Sequence, residues 1–149
     1  PYRIRNPIFD FFEKSENFVN FRIFKIFMIL KAGKVIRTYS IALGFEPIGH
    51  KQKQGDGKTP EGLYYINKKL FSSDFHIALQ ISYPNKWDIK KAQLQNINPG
   101  GSIMIHGQSN KINSTQDLDW TNGCIAVTNS EIEEINKFVK IQTPIYIKK

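Results

Sequence analysis

One cysteine, Cys124, stands in 149 residues, so no internal disulfide can form and pairing gives no reading of the redox compartment. Long apolar runs are also missing. The most apolar segment, FRIFKIFMIL at residues 21–30, is too short to cross a bilayer and carries Arg22 and Lys25, which excludes a membrane helix. A concentrated block of cations is absent as well. The net charge of +8 makes attraction to nucleic acid, anionic lipid or an anionic cell-wall polymer available. Yet the lysines fall in isolated pairs, at 68–69, 90–91 and 148–149, and no glycine-aromatic RNA-reading motif accompanies them, so nucleic acid is not an expected partner. There is no zinc-type histidine and cysteine spacing, no phosphate-cradling glycine loop ahead of a helix, and no glycine-serine-glycine nucleophile elbow. Asp56, in GDGKTPEG, lacks the spaced oxygen ligands of a calcium loop and reads as a turn aspartate. No metal or cofactor is expected. The first residue is Pro1 rather than methionine, so we read the chain as trimmed, and the lack of a signal peptide says nothing about export.

What is present describes one globular domain: 40% apolar residues, eleven phenylalanines and 23% charged residues over a length that suits a single core. Residues 1–20 mix aromatic and polar side chains without a period and read as an N-terminal extension with at most one helical turn. From residue 21 the runs FRIFKIFMIL and VIRTYSIALG, separated by KAGK, predict a hairpin whose first strand is apolar on both faces. The stretch 51–66 reads as a loop feeding a strand near Leu63, and residues 75–83 as a strand ended by Pro84. Residues 85–99 carry a weak helical pattern at DIKKAQLQ and are a candidate lid. GGSIMIHG predicts a short strand, and residues 108–121 are polar and irregular. The clearest helix follows Thr128, which with Glu131 forms a capping box ahead of an apolar stripe at Ile132, Ile135, Phe138 and Val139; IYIKK closes the chain as a strand. The expected class is mainly β with minor α: six or seven strands and one well-defined helix near the C-terminus.

Cys124 follows Gly123 and precedes the apolar IAV segment. A lone cysteine there is commonly just a small buried hydrophobe. A glycine at that point also lets backbone N–H groups approach a reacting carbonyl, which suits acyl transfer. A free thiol needs a base or cation to become a nucleophile, and the chain has three histidines. His50 lies in a turn-like, solvated stretch, and His76 begins a strand. His106 ends a strand beside Gly107, eighteen residues before Cys124, where a strand end and a loop end can meet.

IMIHG followed by TNGCIAV, and preceded by GDGKTPEG and ISYPN, resembles the L,D-transpeptidase catalytic domain of the YkuD type, a bacterial cell-wall enzyme with a β-sandwich or barrel fold. The resemblance runs from about residue 21 to 149. It implies that Cys124 is the nucleophile, His106 its general base, and the N–H groups of Gly123 and Cys124 an oxyanion hole. It further implies attack on the L-centre carbonyl of diaminopimelate in a peptidoglycan tetrapeptide stem, release of D-alanine, and transfer of the thioester to an amine acceptor, in the periplasm or cell envelope. Thr121, Asn122, Gly107, Tyr83 and Trp120 are the expected substrate-binding residues, with core packing an equal alternative for Tyr83 and Trp120. A backbone carbonyl is the expected partner orienting His106, with Asp119 a second choice.

The match departs from the family pattern in two places. Thr121 and Asn122 stand where many members have serine and histidine, so His106 is left as the proton acceptor. Ala126 stands where many have arginine, which removes a bidentate partner for a carboxylate. Two competing readings follow: a carboxypeptidase or amidase on the same scaffold, and a wall-binding module without catalysis.

Overall fold

The computed structural model describes residues 17–21, 25–109 and 119–148. The expected extension at 1–16 and most of the polar stretch, 110–118, lie outside them. Eight strands form one sheet: β1 (Asn17–Phe21), β2 (Ile26–Lys31), β3 (Lys34–Ser40), β4 (Gly62–Ser73), β5 (His76–Ile81), β6 (Met104–His106), β7 (Ile125–Ala126) and β8 (Pro144–Lys148), in the order β3-β2-β1-β8-β4-β5-β6-β7. Two helices, α1 (Lys86–Leu94) and α2 (Asn129–Phe138), complete the described fold.

Pairing is antiparallel except at β1–β8 and β6–β7, which are parallel. The sheet curls. Residues that continue β3, at one end of the strand order, bridge to β7 at the other, with Ala42 N–H donating to Ala126 O at 2.9 Å and Ala126 N–H to Ala42 O at 2.8 Å. A sheet whose two ends meet in this way hides its edges and encloses a core. That core holds Phe27, Ile41, Leu43, Tyr64, Ile66, Leu79, Ile81, Ile105 and Ile125, all almost fully buried.

The β2–β3 hairpin turns at Ala32 and Gly33, both at positive φ (49° and 73°), the two-residue geometry that matches strand twist. The apolar run at 21–30 is not one strand, however. Phe21 ends β1 and pairs with Ile26, so residues 17–20, expected in an extension, open the sheet as β1. Lys25 takes a φ of 47° at that turn, and with no glycine or proline nearby the hydrophobic pattern runs straight through it. Along β2 burial alternates, with Phe27 and Ile29 inside and Met28 and Leu30 half-buried, rather than apolar packing on both faces.

Helix α2 is capped as expected. Thr128 Oγ1 accepts from Glu131 N–H, and the Glu131 carboxylate accepts from Thr128 N–H at 2.8 Å. Ile132 and Ile135 are fully buried, each contributing about 2–3 kcal/mol by area. At its C-terminus Lys69 donates to the carbonyls of Asn136 (3.1 Å) and Val139 (2.6 Å), satisfying acceptors the helix leaves open. Residues 85–99 contain a second helix rather than a loose lid. Asn85 caps α1 in a box with Asp88, and buried Asp88 ties the helix to Tyr64 on β4 and to His50.

Candidate active site

The turn that delivers Cys124 is built from its own residues. Thr121 Oγ1–H donates to Cys124 O at 2.7 Å, and Thr121 Oγ1 accepts from Gly123 N–H at 3.2 Å. Gly123 has a φ of +116°, and a Cβ there would stand 2.5 Å from Lys58 O. Only glycine fits that conformation and that gap. Gly44 is equally constrained: a Cβ on it would meet Gly57 O at 1.9 Å and Gly123 Cα at 3.0 Å. Phe45 N–H to Thr121 O (2.9 Å), Thr121 N–H to Leu43 O (3.2 Å) and Gly44 N–H to Thr59 Oγ1 (3.3 Å) fasten the rest. Residues 42–46, the GDGKTPEG loop and the 121–124 turn therefore form one backbone-to-backbone unit.

Strand pairing brings the backbone of His106 close to the segment that carries Cys124. His106 pairs with Ala126 across β6–β7, and Cys124 stands two residues before Ala126 in the chain. The half-buried thiol donates to Ser102 O at 3.7 Å. His106 is 2% exposed. Its Nδ1 lies 2.6 Å from Gly107 O, and because a carbonyl only accepts, Nδ1 carries the proton and Nε2 presents a lone pair. Its ring packs on Phe75, with centroids 4.4 Å apart, and edge-on to Trp120 at 5.7 Å.

Burial sets the resting charges. Desolvation holds His106 below the ordinary imidazole pKa, against the pull of the Gly107 carbonyl. Burial pushes the Cys124 thiol up, opposed by a hydrogen bond from Met104 N–H and by the positive charge of Lys51. At neutral pH the pair therefore rests as neutral imidazole and thiol, and a nucleophile appears when the proton moves.

The other expected residues divide. Gly107 packs where a Cβ would meet Asn129 Oδ1 at 2.5 Å, and its carbonyl orients His106. Asp119 does not: its carboxylate accepts from Leu43 N–H and pairs with Lys25 at 2.9 Å. Thr121 has both hydrogen-bonding capacities of its hydroxyl engaged inside the turn, whereas Asn122 is exposed beside the thiol's turn. Trp120 is half-buried against His106, and Tyr83 is a core aromatic whose hydroxyl donates to Pro99 O at 3.0 Å. Gly123 N–H points to Thr121 Oγ1, so of the two expected oxyanion donors the Cys124 N–H alone is left uncommitted by that turn. Phe75 and Lys51 were not anticipated. Among the described residues no group of three or more His, Cys, Asp or Glu side chains could hold a metal, and no helix is long and apolar enough to cross a membrane.

Comparisons with known proteins identify the family and agree with the fold. The model of the YkuD L,D-transpeptidase catalytic domain matches residues 19–147. YafK of Escherichia coli (strain K12), a candidate L,D-transpeptidase, is 32% identical over 108 residues, covering 71% of this chain and 38% of its own length. The chain thus spans well under half of that relative. The helical cell shape determining protein Pgp2 from Campylobacter jejuni superposes with a TM-score of 0.69 at 25% identity, over 95% of this chain and 56% of Pgp2. An L,D-transpeptidase from Xylanimonas cellulosilytica shares the fold at 15% identity, with a TM-score of 0.61 over 90% of this chain and 62% of that one. The chain belongs to the YkuD family of L,D-transpeptidase catalytic domains.

Proposed function

We propose that this chain is a cysteine-dependent L,D-transpeptidase of peptidoglycan, with Cys124 as nucleophile and His106 as general base. The observation that carries the reading is the His106 tautomer: Nδ1–H is fixed on Gly107 O, which leaves Nε2 as an acceptor on a residue whose strand partner, Ala126, lies two positions after Cys124. Nε2 takes the thiol proton as sulfur attacks the L-centre carbonyl of a tetrapeptide stem. The oxyanion forms near the Cys124 N–H. The imidazolium then returns its proton to the departing D-alanine amine, leaving a thioester on Cys124. An acceptor amine attacks the thioester, gives its proton to His106 and frees the thiol. Lack of solvent around His106 favours this cycle, since a neutral imidazole is available as a base near neutral pH.

We assign Gly123 and Thr121 to holding the turn rather than to touching substrate, and Asn122 and Trp120 to the substrate side. We take the catalytic unit to begin with β1 at Asn17, because that strand pairs with both β2 and β8.

Mass spectrometry of purified tetrapeptide muropeptides after incubation with the protein tests the reading. Cross-linked dimer with released D-alanine is expected. Tripeptide alone would instead establish a carboxypeptidase on the same scaffold, and no product with either wild type or Cys124→Ala would overturn catalysis altogether.

A further inference from the structure

The chain contains no run of cations, but the fold gathers several of them around one apolar slot. The slot, a cavity of about 310 Å³, lies between the β2–β3 hairpin and the C-terminal end of α2. Its apolar lining is Ile29, Leu30, Ile36 and Phe138, and three exposed lysines, Lys31, Lys137 and Lys140, complete it. Ile36 and Phe138 also pack against the core, which fixes the slot's shape. Among the described residues no acidic side chain lines it. Glu134, on the preceding turn of α2, is engaged by Arg37 at 2.9 Å, and that guanidinium lies 5.4 Å from the centre of the Phe138 ring. Lys34 is the strand partner of Lys31 and adds a further cation at the hairpin end. Two large aliphatic side chains next to this lining are open to solvent. Val35, the strand partner of Leu30, is 51% exposed, and Ile141, which follows Lys140, is 49% exposed. The groove beside α1 differs, because Glu61 and Asp88 there balance Lys86 and Lys91.

We propose that this slot is a docking surface for an anionic lipid bilayer: the lipid phosphates meet Lys31, Lys34, Lys137 and Lys140, and the apolar lining, with Val35 and Ile141, meets the acyl region. Exposed apolar surface bordered by charge marks an interaction face. Burying the aliphatic groups contributes the hydrophobic term, and each cation beside an anionic headgroup adds an electrostatic one. Lysine suits this partner, since its apolar stem lies along the slot while its ammonium stays among the headgroups. A polymer of phosphates would use the cations alone and leave the slot, Val35 and Ile141 in water. The net charge of +8 supplies long-range attraction to any anionic surface, and the slot decides which face lands on it. This face stands apart from His106. Helix α2 begins at Asn129, whose Oδ1 accepts from Gln108 N–H two residues after His106, and it ends at the slot, so its ten residues set the two about 15 Å apart.

Cosedimentation of the full chain with lipid vesicles tests this. Wild type is expected to bind vesicles of equal parts phosphatidylcholine and phosphatidylglycerol and to stay in solution with phosphatidylcholine alone. The triple variant Lys31→Gln, Lys137→Gln and Lys140→Gln should partition roughly a hundredfold more weakly, about fivefold for each cation. A second triple variant, Lys86→Gln, Lys90→Gln and Lys91→Gln on α1, changes the net charge equally and should stay within a few-fold of wild type. Val35→Ser with Ile141→Ser keeps every charge and should weaken binding several-fold. All of these side chains are exposed, so the variants are expected to fold, and circular dichroism checks each of them. Failure of wild type to bind the mixed vesicles would overturn the proposal. Equal losses in the two triple variants would also overturn it, by showing an effect of net charge rather than of this face. Unchanged binding in the Val35→Ser, Ile141→Ser variant would do the same, since a contact of charges alone is what an anionic polymer makes.

Discussion

Two histidines in this molecule are held in opposite ways, and the contrast separates a joint from a site. His50 has both ring nitrogens engaged: Nδ1 accepts from Glu61 N–H at 2.9 Å, and Nε2 lies 3.1 Å from Asp88 Oδ1. The remaining Asp88 oxygen accepts from Tyr64 OH at 3.0 Å and Asn85 N–H at 2.9 Å. Burial alone would raise the Asp88 pKa, but these hydrogen bonds outweigh it and hold the carboxylate below its ordinary range. Nothing in that cluster is left to react. It fastens loop, strand and helix α1. His106 is more deeply buried but has one nitrogen fixed, by a backbone carbonyl, and no bond among the described residues claims the other. On the proposed reading, His50, with both nitrogens engaged, is structural, and His106, with one nitrogen open, is the base.

Substitutions can break or sharpen that contrast. The largest effect is expected from Cys124→Ala, which should remove all muropeptide turnover while leaving thermal stability near wild type. His106→Gln comes next. Loss of a general base should lower kcat/KM by about 10²–10⁴-fold with little change in Tm, and near-normal turnover would take His106 out of the mechanism. His50→Gln should give the reverse pattern, a lowered Tm and kcat/KM within a few-fold of wild type; equal kinetic losses at both positions would collapse the distinction. Gly123→Ala should cost about 1–3 kcal/mol, read as a fall in denaturation midpoint, because the added Cβ has neither room nor a relaxed φ.

A comparable effect, one that vanishes at low pH, is expected at Asp56. Asp56 is held at about 2 in the folded protein, where burial works against ionisation and hydrogen bonds from Gln52, Lys53, Lys51 and Lys58 overcome it. A depressed carboxylate stabilises above its unfolded value and loses that contribution as pH falls through the folded one. Wild type should thus exceed Asp56→Asn by about 2 kcal/mol at pH 7. The gap should close between about pH 4 and pH 2, which denaturation curves across that range would measure. A gap independent of pH would show that the carboxylate's charge is not what stabilises the loop.

Much of this could be read from the chain because the signals were local. Thr128 with Glu131 announced helix α2, and the Ala32-Gly33 turn announced the β2–β3 hairpin. The glycine before Cys124 and the strand ending at His106 named the two central residues, and the family blocks joined them. What escaped was set by distant packing. Strand β1 has asparagines at positions 17 and 20 and no period, and gains its place by pairing with β8, more than a hundred residues away. Lys51 and His50 sit in PIGHKQKQ, polar enough to suggest solvent, yet Lys51 is buried and His50 half-buried, held by bonds to Asp56, Glu61 and Asp88 that the local sequence does not announce. Phe75 reaches His106 through the β5–β6 pairing. The one missed local signal was Asn85 with Asp88, a capping pattern that marks the start of α1 directly after Pro84.

The central claim is that Cys124 becomes acylated with His106 as its base. Intact-protein mass spectrometry after rapid mixing with a tetrapeptide stem tests it most directly. The account predicts a transient adduct equal to the stem less D-alanine, located on Cys124 by peptide mapping, absent in Cys124→Ala and strongly slowed in His106→Gln. Product formed with no adduct on Cys124, or an adduct formed as fast in His106→Gln as in wild type, would contradict it.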